Sequence, residues 1–279
     1  AGAPCLTDDG INLTSAGLCR TAMEQAAARD ILLSFHEEEP SLVPSPGVNY
    51  GSAAAKQFGV PGAMSAAETA MIARDIALAL DTGARVVFQH VSCGQSVALI
   101  RAGKALGARV YAEVTPHHLS LTEDDVPVHG TYARMNPPLR READRQALIE
   151  ALADGTIDMI ATDHAPHTTE EKAREFAKAP SGITGLETAF SVCNTYLVKT
   201  GQLTPLQLID KMSKAPAEIY GLTGRAVAEC NFARLVLLDW EQETVYQTYQ
   251  SKAVNTPYTG MPLTGAPRAI VTGACVTAR

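Results

Sequence analysis

The chain has 279 residues, 46% of them hydrophobic, with a net charge of -7 and a pI near 5.5. That supplies one large core, or one core and a small appendage. No basic run or aromatic-spaced basic patch is present, so no nucleic-acid partner is expected, and no apolar run approaches the roughly 20 residues needed to cross a bilayer, so no membrane role is expected.

Residues 1–7 form only a short run, and Asp8-Asp9-Gly10 follows as a turn signature. A helix fits 15–29, with Leu18, Ala22 and Ala26 on one face. Ile31 to His36 reads as a short strand that ends in a histidine, followed by three glutamates. Residues 37–64 are rich in Pro and Gly and read as a loop, and 65–82 as a strong helix. Arg85 to His90 is a second strand ending in histidine, and a helix at 94–106 follows. Ala108 to Val114 is a third strand, closed by Thr115-Pro116-His117-His118. A long loop carries Met135-Asn136-Pro137-Pro138-Leu139-Arg140, and a helix at 142–153 leads into the central strand, Ile157 to Thr162. That strand runs straight into Asp163-His164-Ala165-Pro166-His167. Thr168 to Lys178 is charged and reads as a mobile surface loop or helix, and helices fit 185–199 and 204–213. From about Val227 the texture changes. Arg234 to Asp239 and Ala269 to Val276 are short β runs, separated by Asn255-Thr256-Pro257 and Gly260-Met261-Pro262, as in a small β appendage.

Alternating strands and helices at this spacing predict a parallel α/β sheet with crossover helices. In a parallel barrel all carboxyl ends of the strands lie on one face, where loops carry the chemistry. Asp9, His36, His90 and Asp163, remote in sequence, are therefore expected to meet. A lone histidine at a strand end is more often structural, but separate strands ending in His, His and Asp favour a site. Two histidines and two carboxylates suit a divalent ion such as zinc with an open position for water. A shared carboxylate can hold two ions roughly 3.5–4 Å apart, and a further carboxylate can move the proton. The six cysteines, Cys5, Cys19, Cys93, Cys193, Cys230 and Cys275, contain no Cys-x-x-Cys pair and read as reduced, mostly buried thiols. With no signal peptide opening the sequence, a cytoplasmic protein is expected. Cys93 lies just past His90; a thiol there could ligate zinc, but a small buried residue is the simpler reading.

These residues resemble the dihydroorotases of the amidohydrolase superfamily, in their longer bacterial form. The markers are Thr7-Asp8-Asp9-Gly10, Phe35-His36-Glu37-Glu38, His90-Val91-Ser92, Glu113 to Leu119, Met135 to Arg140, Thr162 to His167, Gly182 to Glu187 and Asn255-Thr256-Pro257. Each is weak alone; the ordered set is specific and covers nearly the whole chain. The resemblance implies a (β/α)8 TIM-like metal-dependent barrel over 1–226, strands four to eight present, and part of a small β-sandwich over 227–279. It implies two zinc ions in the complete enzyme and one or none in this chain. Asp9 matches the carboxylate that bridges them, where hydantoinases use a carbamylated lysine. His36 and His90 match the ligands of one zinc. Asp163 matches a ligand of the other and the catalytic group that moves the proton. Asn136 and His167 match substrate contacts, and Ser181 and Gly182 match backbone contacts to the pyrimidine ring. The segment 168–178 would lie over the site. Asp8 reads as a turn or supporting acid, His117, His118 and His164 as structural or supporting, and His129 as a surface loop residue. The implied reaction is reversible cyclisation of N-carbamoyl-L-aspartate to dihydroorotate, with loss of water, in pyrimidine biosynthesis.

The sequence departs from the family pattern in lacking a His-x-His strand, strands one to three and an N-terminal β segment. The expectation is therefore a chain that is inactive alone and that completes its site with a missing N-terminal segment; a homodimer is a further possible partner. At Cys230-Asn231-Phe232-Ala233-Arg234 the family's usual Gly and Ala-Asp are replaced. Two other readings stand beside the first. One is another cyclic amidohydrolase, an allantoinase or hydantoinase, against which Asp9, Asn136 and His167 argue. The other is a non-catalytic dihydroorotase-like scaffold subunit that supports aspartate transcarbamoylase.

Overall fold

A computed structural model of the chain describes residues 2–222, 227, 229 and 231–278. In chain order its first part comprises β1 (Cys5–Thr7), α1 (Ala16–Ala27), β2 (Leu32–Phe35), α2 (Ala53–Phe58), α3 (Ser65–Thr82), β3 (Arg85–Phe88), α4 (Gly94–Ala105), β4 (Val110–Val114), α5 (Pro116–Ser120), α6 (Val126–His129), α7 (Glu142–Asp154) and β5 (Met159–Ile160). Then follow α8 (Thr169–Lys172), α9 (Ala189–Cys193), α10 (Pro205–Ile209), α11 (Ala215–Ile219), β6 (Arg234–Val245), β7 (Pro262–Thr272) and β8 (Cys275–Ala278). The boundary expected at 226/227 and the departure at Cys230 fall at least partly on residues outside those described.

The five strands β1 to β5 pair in parallel in sequence order, as consecutive strands of a (β/α)8 ring do; among the described residues the ring is not closed. Side chains alternate between the two faces. Leu33 and Phe35, Val86 and Phe88, Val110 and Ala112, and Ile160 point to the helix layer, where they join Met23 of α1, Ile72 of α3, Ile100 of α4 and Leu148 of α7 in one core. On the other face Leu32, Val87 and Met159 pack on Ile219 of α11, with Cys5, Tyr111 and Tyr220 at the margin. Asp158 fastens β5 before it begins: its carboxylate accepts from the Ala112 N–H at 2.8 Å and from Lys104 at 2.7 Å.

Helix boundaries follow local chemistry. Ser15 caps α1 by accepting from the Leu18 N–H, Thr168 caps α8 in a capping box with Glu171, and Gly155 ends α7 at a φ of 87°. Several sequence expectations change. The opening run holds a strand, β1, which at three residues is too short for periodicity to show. The 37–64 loop contains α2. The helix expected at 185–199 begins at Ala189 and passes into a π turn over Asn194–Val198, where the Asn194 amide reaches the Trp240 and Thr264 carbonyls. The helix expected at 204–213 continues through a second π turn into α11. The β run expected at 269–276 is two strands, because Gly273, at a φ of 59°, turns the chain between β7 and β8. The C-terminal sheet is antiparallel in the order β6-β7-β8, and Ser191 of α9 ties it to the helix layer by donating to the Gly265 carbonyl at 2.6 Å. Among the described residues no helix is long and apolar enough to cross a membrane.

Candidate active site

At the carboxyl end of the parallel sheet, Asp9, His36 and His90 each present a ligand atom, all within 4.8 Å of one another. His36 follows β2 with the parity of Leu32, which places it on the α11 side. Strict alternation from Val87 would instead send His90 toward the helix layer. A φ of 32° at His90 breaks that alternation, and its Nε2 comes to lie 2.9 Å from His36 Nδ1. Asp163 has a φ of 48°. Among the described residues only Asp30 shares such a conformation without being glycine. Left-handed backbone at a non-glycine residue costs on the order of 1–3 kcal/mol and persists where surrounding structure enforces it.

Asp9 Oδ1 lies 3.9 Å from His36 Nδ1, and Glu38 Oε2 lies 3.7 Å from His36 Nε2. Asp8 stands behind this group, accepting from the backbone N–H groups of His36 and Leu13, each at 3.0 Å. Burial works against charging His36, but Glu38, Asp9 and Asp8 outweigh it and hold its pKa above the usual histidine value. His90 goes the other way: burial, then the rings of His36 and His118, push it well below that value. A neutral imidazole beside a second imidazole and a carboxylate is a nitrogen–nitrogen–oxygen donor set of the kind that holds a borderline divalent cation. The His90 Nδ1 is buried without a hydrogen-bond partner. The residues present fit such an ion.

Asp163 is outside that three-residue cluster but faces the same cavity, of about 250 Å³, which Asn136, Ser181 and Gly182 also line. Burial, then the charge on Asp9, raises the Asp163 carboxyl to about 6, with His36 opposing. Asn136, whose peptide bond to Pro137 is cis, has its side-chain carbonyl buried without a partner. His167 does not line the cavity; its Nε2 meets the Ser181 carbonyl at 2.9 Å.

Gly182 is where the geometry differs from a freely available backbone contact. Its N–H donates to the Arg134 carbonyl at 2.8 Å, and its carbonyl accepts from Lys172 at 2.8 Å and Asn255 at 3.2 Å. Both polar groups of its backbone are engaged within the protein. The segment 168–178 does not line the cavity. It is pinned beside it by Phe176, stacked on Phe58 at 4.1 Å, and by the buried Lys172, which also donates to the Pro180 carbonyl at 3.0 Å.

Glu38, Asn12 and Gly10 line the cavity without having been singled out. For Glu38 a signal existed: it stands two residues beyond His36 and so shares its side. Burial opposes ionisation of Glu38, but the neighbouring His36 and Asn136 side chains hold its pKa below the usual value. Asn12 donates to the Glu38 carbonyl at 2.7 Å. Cys93 stays out of the ligand cluster: its buried thiol lies 3.2 Å from Ser96 Oγ, and burial, then Glu68, pushes it up to about 12. His118 is buried between Thr115 and the Pro137 carbonyl, and His117 is buried beside it. His164 accepts from the Gly185 N–H at 3.1 Å, and His129 ends α6 half-buried.

Residues 14–268 match the amidohydrolase family. The dihydroorotase of Clostridioides difficile (strain 630) is 52% identical over 265 residues, which is 95% of this chain and 63% of that protein. The dihydroorotase of Lactococcus lactis subsp. lactis is 48% identical, over 92% of this chain and 61% of that protein. The chain thus spans somewhat over three fifths of the length of these relatives. Among solved structures, the L-hydantoinase (dihydropyrimidinase) of Arthrobacter aurescens is similar with a TM-score of 0.84 and 26% identity, over 99% of this chain and 63% of that one. The D-hydantoinase (dihydropyrimidinase) of a Thermus species gives 0.82 and 25%, over 95% and 61%.

Proposed function

Because the chain belongs to the amidohydrolase family, we propose that the protein is a zinc-dependent dihydroorotase, closing N-carbamoyl-L-aspartate to dihydroorotate and reopening it. The observation that carries the reading is the meeting of Asp9, His36, His90, Asp163 and Asn136 on one cavity in a chain 52% identical to a dihydroorotase. In the closing direction the ureido nitrogen bonds to the side-chain carboxyl carbon and one water leaves; hydrolysis reverses this. Asp9, His36 and His90 would hold one zinc, and Asp9 together with Asp163 would help to hold a second. A divalent ion there would supply polarisation of the carbonyl and a lowered pKa for water.

The remaining work belongs to this chain's own groups. Asp163, a half-buried carboxylate facing the cavity, is suited to carry the proton between water and the ring nitrogen. The unpartnered Asn136 carbonyl offers an acceptor for a substrate N–H. Ser181 and Gly182 line the cavity beside these groups, with His167 held on the Ser181 carbonyl. A hydantoinase is the second reading, favoured by the structural likeness to those enzymes, while Asp9 in place of a lysine argues against it.

The test is turnover by the whole protein, loaded with zinc, in both directions and against a panel of dihydroorotate, hydantoin and allantoin. Dihydroorotate is expected to be preferred. No turnover with zinc bound would refute the enzyme reading, and preference for hydantoin or allantoin would replace the substrate. A scaffold subunit would carry no zinc by elemental analysis.

A further inference from the structure

Asn255 sits in the connection between β6 and β7, about 90 residues from one of the loops it touches and about 70 from the other, and is 1% exposed. Its amide is fully used on the backbone of two separate loops. Nδ2 donates to the Ala165 carbonyl at 3.0 Å and to the Gly182 carbonyl at 3.2 Å, and Oδ1 accepts from the His167 N–H at 3.0 Å. Its own carbonyl accepts from the Thr184 N–H, also at 3.0 Å. The two loops also meet through the bridge of His164 with Ile183, whose ladder bond is the Ala165 N–H to the Ile183 carbonyl at 2.8 Å, and through His167 Nε2 on the Ser181 carbonyl at 2.9 Å. Between them they supply Asp163, Ala165, Ser181 and Gly182 to the cavity. The Asp9–His36–His90 group stands on β1 to β3 and shares no hydrogen bond with Asn255.

We infer that Asn255 is a positioning residue: it locks the 163–167 loop to the 181–184 loop and so fixes the wall that meets the bound ring, without touching substrate itself. A primary amide is the side chain that can do this, since it offers two donors and an acceptor in one plane to two carbonyls and an N–H. Aspartate would keep the acceptor and lose both donors; alanine would lose all three bonds and leave buried backbone groups unpaired. The inference builds on the proposed cyclic amidohydrolase activity, but its geometric part stands apart from the identity of the substrate.

The experiment uses the whole protein with zinc, as Asn255→Asp and Asn255→Ala. Steady-state kinetics on dihydroorotate are expected to show KM raised about tenfold and kcat changed by less than about threefold, the pattern of lost binding at the wall. Zinc content is expected to stay at the wild-type level. Hydrogen exchange is expected to quicken at the amides of 164–168 and 181–184 and to stay unchanged in β2 to β4. Unchanged KM and unchanged exchange in either folded variant would overturn the inference, as would loss of zinc in parallel with kcat, which would mean a general collapse. If Asn255→Ala does not fold, Asn255→Asp carries the test alone. If the wild-type protein does not turn over dihydroorotate, the dihydroorotase reading fails, and the exchange measurement still decides the clamp.

Discussion

Gly182→Ala probes the cavity wall directly. Gly182 has a φ of 102°, and a Cβ there would come 2.5 Å from the Cβ of Ala165 on the facing loop. Two costs add. Left-handed backbone costs an L-residue roughly 1–2 kcal/mol, and forcing a methyl into a filled space costs about 1–3 kcal/mol. Gly155, the C-cap of α7, separates them: its φ is 87°, yet a Cβ there meets nothing within 4 Å. Gly155→Ala therefore carries the backbone cost alone, and both variants gain the same small benefit from a stiffer unfolded chain. In urea unfolding Gly182→Ala is expected to lose about 1–3 kcal/mol more than Gly155→Ala. It is also expected to weaken substrate binding, because the loops must part to admit the methyl. Equal losses in the two variants would refute the close approach of Gly182 to Ala165, and with it the picture of two loops packed into one wall.

Three further outcomes are expected. Lys172→Met removes the donor to the Pro180 and Gly182 carbonyls and is expected to cost about 1.5–3 kcal/mol in urea unfolding; a loss under about 0.5 kcal/mol, the level of an ordinary surface change, would show that these bonds contribute little. His118 is held neutral by burial, its pKa lowered to about 4, whereas an unfolded histidine titrates near 6.5. The unfolded chain therefore takes up the proton first, so stability present above about pH 6.5 falls as pH drops toward 4, by about 3 kcal/mol from this residue. Urea unfolding of metal-free protein between pH 7 and 4 checks this, and His118→Gln, which cannot gain that proton, is expected to flatten the profile; an unchanged profile would contradict it. Asp163→Ala in the whole zinc-loaded protein is expected to abolish turnover at every pH, since proton carrier and ligand vanish together; near-normal turnover would remove Asp163 from the mechanism.

The strands at 32–35, 85–88, 110–114 and 159–160 were legible because apolar residues alternate or run together there, and each of these four is shorter than its sequence signal, whereas β6 runs on past the expected Asp239 to Val245. β1 was not legible, being three residues long. The nearness of His36 and His90 followed from one rule, that parallel strands deliver their carboxyl ends to one edge; the ligand role of Asp9 came from the resemblance to dihydroorotases, because the strand before it was not legible. The rule could not foretell how His90 turns inward, because that depends on a positive φ that no residue pattern encodes. Charge misleads at 168–178. The stretch reads as a mobile surface segment, yet Lys172 is buried on two carbonyls and Phe176 stacks on Phe58. Which of several charged residues is buried depends on carbonyls contributed by residues 180 and 182, beyond the reach of local pattern. Asn255 stood out only as part of a short motif; its work emerges when the fold carries it to loops about 70 and 90 residues earlier.

X-ray absorption at the zinc edge, on the whole protein loaded with zinc and compared with His36→Ala and His90→Ala, bears most directly on the metal site. The expected spectrum has histidine nitrogens at about 2.0–2.1 Å with oxygen completing the shell, and a lower nitrogen count in either variant. Zinc that fails to bind, or a shell that is the same in wild type and both variants, would contradict a metal centre built on Asp9, His36 and His90.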